Sequence, residues 1–247
     1  MNCFLALVLA FQAPSFEVAT IKATPPETRI IGDLFSYPGG RVLGIRCSLK
    51  QLVEESLQVR TWQVKGDLTW MRDEHFDIDA RPPAASQSSK STLKRVNLND
   101  EQRQMLLALL VERFHLKYHR ETREGPVYFL VRTKKPLRLS EPEHKDWHGW
   151  AGDPGNGVFG GGGVAGSNVS MTEFADRLSG SLERPVIDRT GIAGTYDFKA
   201  VYDAGDEHPD VTASILTSIQ QLGLKLEPGK GPVETIVIDS AERPSGN

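Results

Sequence analysis

The chain is poor in cysteine, has little net charge and no long hydrophobic run, and each shortage removes a class of function. Two cysteines, Cys3 and Cys47, stand in 247 residues. That excludes a disulfide-stapled scaffold and a cysteine-rich zinc site. The formal net charge is −3, so there is no broad positive field for nucleic acid or anionic lipid. The short basic runs Lys94-Arg95 and Lys134-Lys135 read as solvated surface. Three catalytic signatures are also missing: a Gly-x-Ser-x-Gly elbow, a phosphate-loop signature and His-Glu-x-x-His. Gly160–Gly163, with Gly155, Gly157 and Gly166, is rich in glycine but lacks the Lys-Ser/Thr end of a phosphate loop, and reads as flexible linker.

What is present begins with an apolar run, Cys3–Phe11, far shorter than the ~20 residues of a membrane span. Val8-Leu9-Ala10 supplies small residues for cleavage after Ala10, with Ala13 as a second candidate. Residues 1–13 therefore read as a secretory signal peptide. No Lys or Arg precedes the run, which leaves open that residues 4–11 are a buried first strand. Export implies a periplasmic or secreted location and no stable membrane span after signal removal. Cys47 would then remain alone, without an intrachain disulfide. It stands just before a helix start, where a thiol can be activated, but its setting suits a small apolar filler. Apolar residues at 39% and charged ones at 25% fit an ordinary globular protein.

The chain resembles itself. Gly39–Leu49 lies over Gly161–Met171 at one offset, which also sets Leu52 on Phe174, Val64 on Val186 and Phe76 on Phe198. Further on, Leu107, Val111 and Phe114 meet Ile215, Ile219 and Leu222. The matches fall on structural signals in order. Each copy opens with a short strand and a capping box, Ser48-x-x-Gln51 or Ser170-x-x-Glu173, in which hydroxyl and longer side chain exchange bonds with free helix amides. Apolar residues follow at helical spacing, Leu49, Leu52, Val53 and Leu57 or Met171, Phe174, Ala175 and Leu178.

Two strands come next, around 63–65 with 75–80, and around 185–188 with 196–202. Asp188-Arg189-Thr190-Gly191 makes a turn in the second pair. A second helix spans about 100–113 or 211–221, with Asn99 and Asp210 as caps and Gly223 as a stop. Each copy is expected to close with a hairpin: 114–118 with 127–132, and 222–226 with 233–239 through the turn Glu227-Pro228-Gly229-Lys230. Thr235–Ile238 reads as a central strand covered on both faces.

The predicted fold is α+β: two tandem pseudo-symmetric βαββαββ repeats, with helices packed on antiparallel or mixed sheets. The expected organisation is a signal peptide (1–13), a leading strand with the first repeat (14–139), a Gly/Pro-rich linker (140–163) and the second repeat (164–247). Pro82–Lys90 reads as a flexible insertion. The leading strand, 15–23, lies outside the repeat and adds to a sheet edge.

Phe16-Glu17-Val18-Ala19-Thr20-Ile21-Lys22, Val169-Ser170-Met171, Pro185–Gly191 with Gly194–Phe198, and Gln221–Leu226 with Val237-Ile238-Asp239 and Glu242-Arg243-Pro244 resemble a large family of uncharacterised exported proteins, abundant in soil Acidobacteria of the Solibacter type. The resemblance implies an extracytoplasmic setting. It also implies kinship with domains attached to membrane-bound sensor peptidases of the antibiotic-sensing type, and carries over no catalytic residue. Leu222–Leu226 and Thr235–Ile238 are also similar to the short amino-terminal domain of secretins and TonB-dependent receptors, a docking and signalling module.

Few residues remain as candidates for chemistry. His115 and His119, four apart on a strand, stand roughly 13 Å from each other, too far for one ion. His144 and His148 lie among Glu141, Glu143 and Asp146, where an ordered loop could surround a cation. Asp73, Glu74, Asp77 and Asp79 crowd around Phe76, and paired carboxylates can act as acid and base. Alternation makes them an exposed sheet face instead. Trp147 and Trp150, two aromatics in a glycine-rich linker, either pack between the copies or meet a partner.

The expected function is a non-enzymatic binding, docking or sensor module that meets an envelope or periplasmic protein or peptide. No catalytic residue, metal or cofactor is assigned to it. A hydrolase using the carboxylates near Phe76 or the linker histidines, and a structural envelope protein, are the alternatives.

Overall fold

Polar residues that satisfy free amides set the helix starts. The computed structural model describes residues 14–25, 32–37, 39–66, 69–83, 98–144, 146, 149, 163–201 and 211–245. In it the Gln51 amide donates to the Ser48 hydroxyl (3.2 Å) and the Ser48 amide to the Gln51 side chain (2.9 Å). Ser170 and Glu173 make the same exchange, and so do Asn99 and Gln102. Each such cap contributes about 1 kcal/mol. The chain forms two units, residues 1–121 with 235–247, and residues 122–234. Helices lie with antiparallel and mixed sheets in an α+β arrangement.

The first unit contains β1 (Val18–Ala23), β2 (Asp33–Ser36), β3 (Val42–Ser48), α1 (Leu49–Leu57), a 3₁₀ turn (Thr61–Gln63), β4 (Val64–Lys65), α2 (Trp70–Asp73), β5 (His75–Arg81) and α3 (Asp100–Arg113). Four strands form an antiparallel sheet in the order β1-β5-β3-β2. β5 alternates as expected: Phe76, Ile78 and Ala80 are buried, while Asp77 and Asp79 are half-buried between them. Leu49, Leu52 and Val53 of α1 meet Leu106, Leu109 and Leu110 of α3 in one core. Burying each such side chain contributes about 1.5–3 kcal/mol. Phe114 stands edge-on to Phe76, with centroids 5.2 Å apart.

The second unit holds most of β6 (Lys117–Arg132), then β7 (Gly163–Ser170), α4 (Met171–Ser181), β8 (Val186–Asp188), β9 (Thr195–Val201), α5 (Val211–Gln221) and the start of β10 (Leu224–Ser240). β7 and β9 pair antiparallel, and β8 runs parallel to β6. Its own core gathers Met171, Phe174 and Leu178 of α4, Phe198 of β9, and Ile215 and Ile219 of α5. Gly223, at φ 80°, ends α5. A Cβ there would stand 2.6 Å from the Pro136 carbonyl oxygen, so the turn requires glycine.

Two expectations are corrected. The closing hairpins do not form, because β6 and β10 are each one unbroken strand. Gly229 and Gly231, expected at or beside a turn, lie within β10 against Phe129 and Val127 of β6. Bare glycine backbone admits those side chains, so the strand continues where a turn would have stood. In the first unit the end of β10 meets the start of β6, where Asp239 approaches His119 at 3.0 Å, and β4 runs parallel to it.

The second correction concerns register. Gly44 pairs with Ile78 and Gly166 with Phe198, whereas the offset that sets Gly44 on Gly166 sets Phe76 on Phe198, so the strand pairing does not follow one offset through both segments. The connection from β8 to β9 is the shorter one, because the helical turn α2 lies only between β4 and β5. β1 pairs with the edge of β5 as expected, whereas β2 and α2 were not foreseen. Ile236 and Ile238 are buried and Val237 half-buried, so the coverage of β10 there is uneven. Asp210 and most of the segment 82–90 lie outside the described residues.

Candidate functional site

The carboxylates near Phe76 do not converge. Asp77 Oδ1 accepts the Arg46 amide (2.8 Å) and the Thr24 hydroxyl (2.8 Å). Asp79 is held by the Arg41 guanidinium through two bonds of 2.8 and 2.9 Å, with Arg81 at 3.3 Å. The bond from Arg41 keeps the Asp79 carboxyl below its ordinary range. Glu74 takes a forked contact from Arg243, 2.6–3.1 Å. Asp73 meets Arg72, at 3.6 Å. Each of the four acids thus serves partners of its own, and a shared acid–base pair is not assembled.

The histidines are also separate. His119 faces Asp239, and His115 faces Glu242 at 3.2 Å. His144 is exposed, and His148 lies outside the described residues. Among the described residues, no three His, Cys, Asp or Glu side chains gather as metal ligands. Trp147 and Trp150 lie outside the described residues, so their proposed role in partner binding has no geometry here. Cys47 is 2% exposed. Burial pushes its thiol up to about 12, which suits the filler role and not an activated nucleophile. Arg189 forms no turn ion pair with Asp188. It stacks on Phe129 with its guanidinium carbon 3.5 Å from the ring centre, while Asp188 accepts the Thr190 amide and hydroxyl.

The first unit carries a cleft of about 270 Å³, which the sequence did not reveal. Val64, Met71 and Ile238, at 9%, 5% and 6% exposure, give it an apolar floor. Lys50 from α1, Lys65 from β4 and Arg72 from α2 bring cations to it, with Thr69 and Gly66 between. Glu54, one helical turn beyond Lys50, stands 3.6 Å from its ammonium group. Burial raises the Glu54 carboxyl above its ordinary range, and bonds from Thr61 and Lys50 only partly oppose this.

Two contacts steady the wall of the cleft. Arg243 lies over the Trp70 ring at 5.1 Å while it holds Glu74, so both ends of α2 are tied to the carboxyl-terminal segment. The Glu242 amide donates to the Phe114 carbonyl (2.7 Å) and fixes the start of that segment. In sequence the three cations stand on different elements at no motif spacing. The only local signals are the one-turn helix and the glycine after a two-residue strand.

The architecture defines an α+β protein with two hydrophobic cores and one described open cleft of mixed cationic and apolar lining. The chain belongs to the family described as "Protein of unknown function (DUF3738)", whose model matches residues 50–241. No curated protein and no solved structure matches it. Among the described residues, no helix is long and apolar enough to cross a membrane.

Proposed function

We propose that this chain is a non-enzymatic binding module that works outside the cytoplasm and is built from two copies of one α+β unit. The observation that carries the binding role is the cleft between α1, β4 and α2, whose cations and apolar floor suit recognition. The carboxylates a hydrolase would use are engaged in holding strands and termini. The apolar leader at 3–11 supports export, and the partner is an envelope or periplasmic protein or peptide.

Duplication is supported by matched details. Apart from the 3₁₀ turn and the one-turn helix α2 on either side of β4, β3 to β6 follow the same order as β7 to β10: strand, helix, short strand, strand, helix, strand. In each, the first strand slips register before a capped serine, and an aspartate takes the amide of a residue with positive φ, Arg46 or Asn168. The upstream segments also correspond. Ser140 bridges Asp197 and Gly149 bridges Ser167, the places that β1 and β2 take beside β5 and β3. These two bridges support counting Ser140 and Gly149, read as linker from the sequence, with the second copy. The likeness to secretin and receptor amino-terminal domains agrees with a docking role.

The test is a broad hydrolase panel run on the mature protein, with and without divalent metals, alongside fractionation of the native host. The expected outcome is a processed chain outside the cytoplasm and no turnover. Turnover abolished by Asp77→Asn with Asp79→Asn would establish the hydrolase reading instead, and an unprocessed cytoplasmic chain would remove the extracytoplasmic one.

A further inference from the structure

We infer that the cleft of the first unit takes a small amphiphilic anion, a carboxylate on a short aliphatic body. The inference rests on the reading of the chain as a binding module and names the ligand class for this one site. Lys50, Lys65 and Arg72 reach the cleft from three elements, and the described acids near them offset little of that charge. Asp73 and Arg72 are both 68% exposed and 3.6 Å apart, a geometry that water screens. Of the three cations Glu54 engages Lys50, at 3.6 Å, while its other carboxylate oxygen accepts the Thr61 hydroxyl. Among the described residues the rim is net positive over a low-dielectric floor, which concentrates an anion there.

The floor sets the second requirement. Val64, Met71 and Ile238 present apolar atoms that a bare inorganic anion would leave in contact with water, whereas an aliphatic chain would cover them. Methionine in such a floor adapts to chains of different shape. The volume, about 270 Å³, is below the ~300–1,000 Å³ of drug-sized pockets, so the body is short. Gly66 keeps the end of β4 thin: a Cβ there would stand 3.0 Å from that of Ile238.

The experiment is an amide NMR titration of the full mature chain with hexanoate. Hexylammonium, with a similar apolar body and opposite charge, and inorganic phosphate, with charge and no body, are the comparison probes. Hexanoate is expected to shift Lys65, Gly66 and Met71 saturably. The other two probes are expected to bind at least tenfold more weakly. Lys65→Glu with Arg72→Glu should weaken hexanoate at least tenfold with peak dispersion retained, and Lys134→Glu should leave it unchanged.

The inference is overturned if hexanoate produces no saturable shift at those amides, if either comparison probe binds as tightly, or if the double variant binds hexanoate as well as the parent. This readout is separate from the turnover and fractionation tests. A chain that passes those and fails here loses the ligand class alone, and one that turns over substrate loses the binding-module reading whatever hexanoate does.

Discussion

In the first unit β5 has a full strand on its outer edge, and β3 has another on its own. In the second unit, among the described residues, β9 and β7 are met at single bridges from Ser140 and Gly149. The aspartate at the register slip compensates differently in each place. Asp77 receives one amide and the Thr24 hydroxyl just beyond β1. Asp197 receives the Asn168 amide (2.7 Å), the Ser167 hydroxyl (2.8 Å) and the Glu143 amide (2.9 Å). Both carboxylates close a slip and tie in a neighbouring segment, Asp77 through the Thr24 hydroxyl and Asp197 through the Glu143 amide, and Asp197 takes the Ser167 hydroxyl as well.

The largest test of the comparison removes a core ring from one unit at a time. Phe114 and Phe174 are both fully buried, in separate cores. Phe114→Ala and Phe174→Ala are each expected to cost about 3–5 kcal/mol. Amide exchange should show protection falling first in the unit that lost the ring. Equal loss in both units would mean that they unfold as one cooperative body.

A sharper contrast uses the paired glycines. A Cβ on Gly166 would stand 2.7 Å from Phe198 Cζ, and that ring is fixed against Phe174 at 4.8 Å. On Gly44 the nearest atom is Leu34 Cδ1 at 3.2 Å, the end of a flexible side chain. Gly166→Ala should destabilise by about 1–3 kcal/mol and Gly44→Ala by the lower end of that range or less, read by urea denaturation. The reverse order would overturn the packing contrast drawn between the two sites.

The smallest expected effect is local and depends on pH. Bonds from Glu143, then Asn168, then Ser167 hold the Asp197 carboxyl below its ordinary value. A carboxyl lowered on folding contributes stability that is complete above its unfolded value, about 3.9. That contribution is lost as pH falls through the folded value. Below pH ~4, protection of the Glu143 and Asn168 amides, relative to their intrinsic exchange at that pH, should fall, and Asp197→Asn should remove this acid step. A step unchanged in that variant would assign it to another group.

Signals that act within a few residues were legible. Ser48, Ser170 and Asn99 cap as their spacing with Gln51, Glu173 and Gln102 indicates, the turn at Asp188–Gly191 closes on Asp188, and alternation placed Phe76 and Ile78 inward. The partner of a strand was not legible. Gly229 and Pro228 carry turn chemistry, yet β10 runs through them because β6 lies beside it with room for its side chains only where glycine stands. The cleft was hidden for the same reason: nothing local relates Lys50, Lys65, Arg72 and Ile238.

The sequence by itself determined where α1, α3 and α4 begin and which face of β5 turns inward, since each depends on local bonding or on alternation. Tertiary structure alone decided that β6 and β10 stay unbroken, that Gly44 pairs with Ile78 and Gly166 with Phe198, and that three scattered cations share one cleft. Those outcomes depend on contacts between residues far apart in the chain, whose energies no local pattern records.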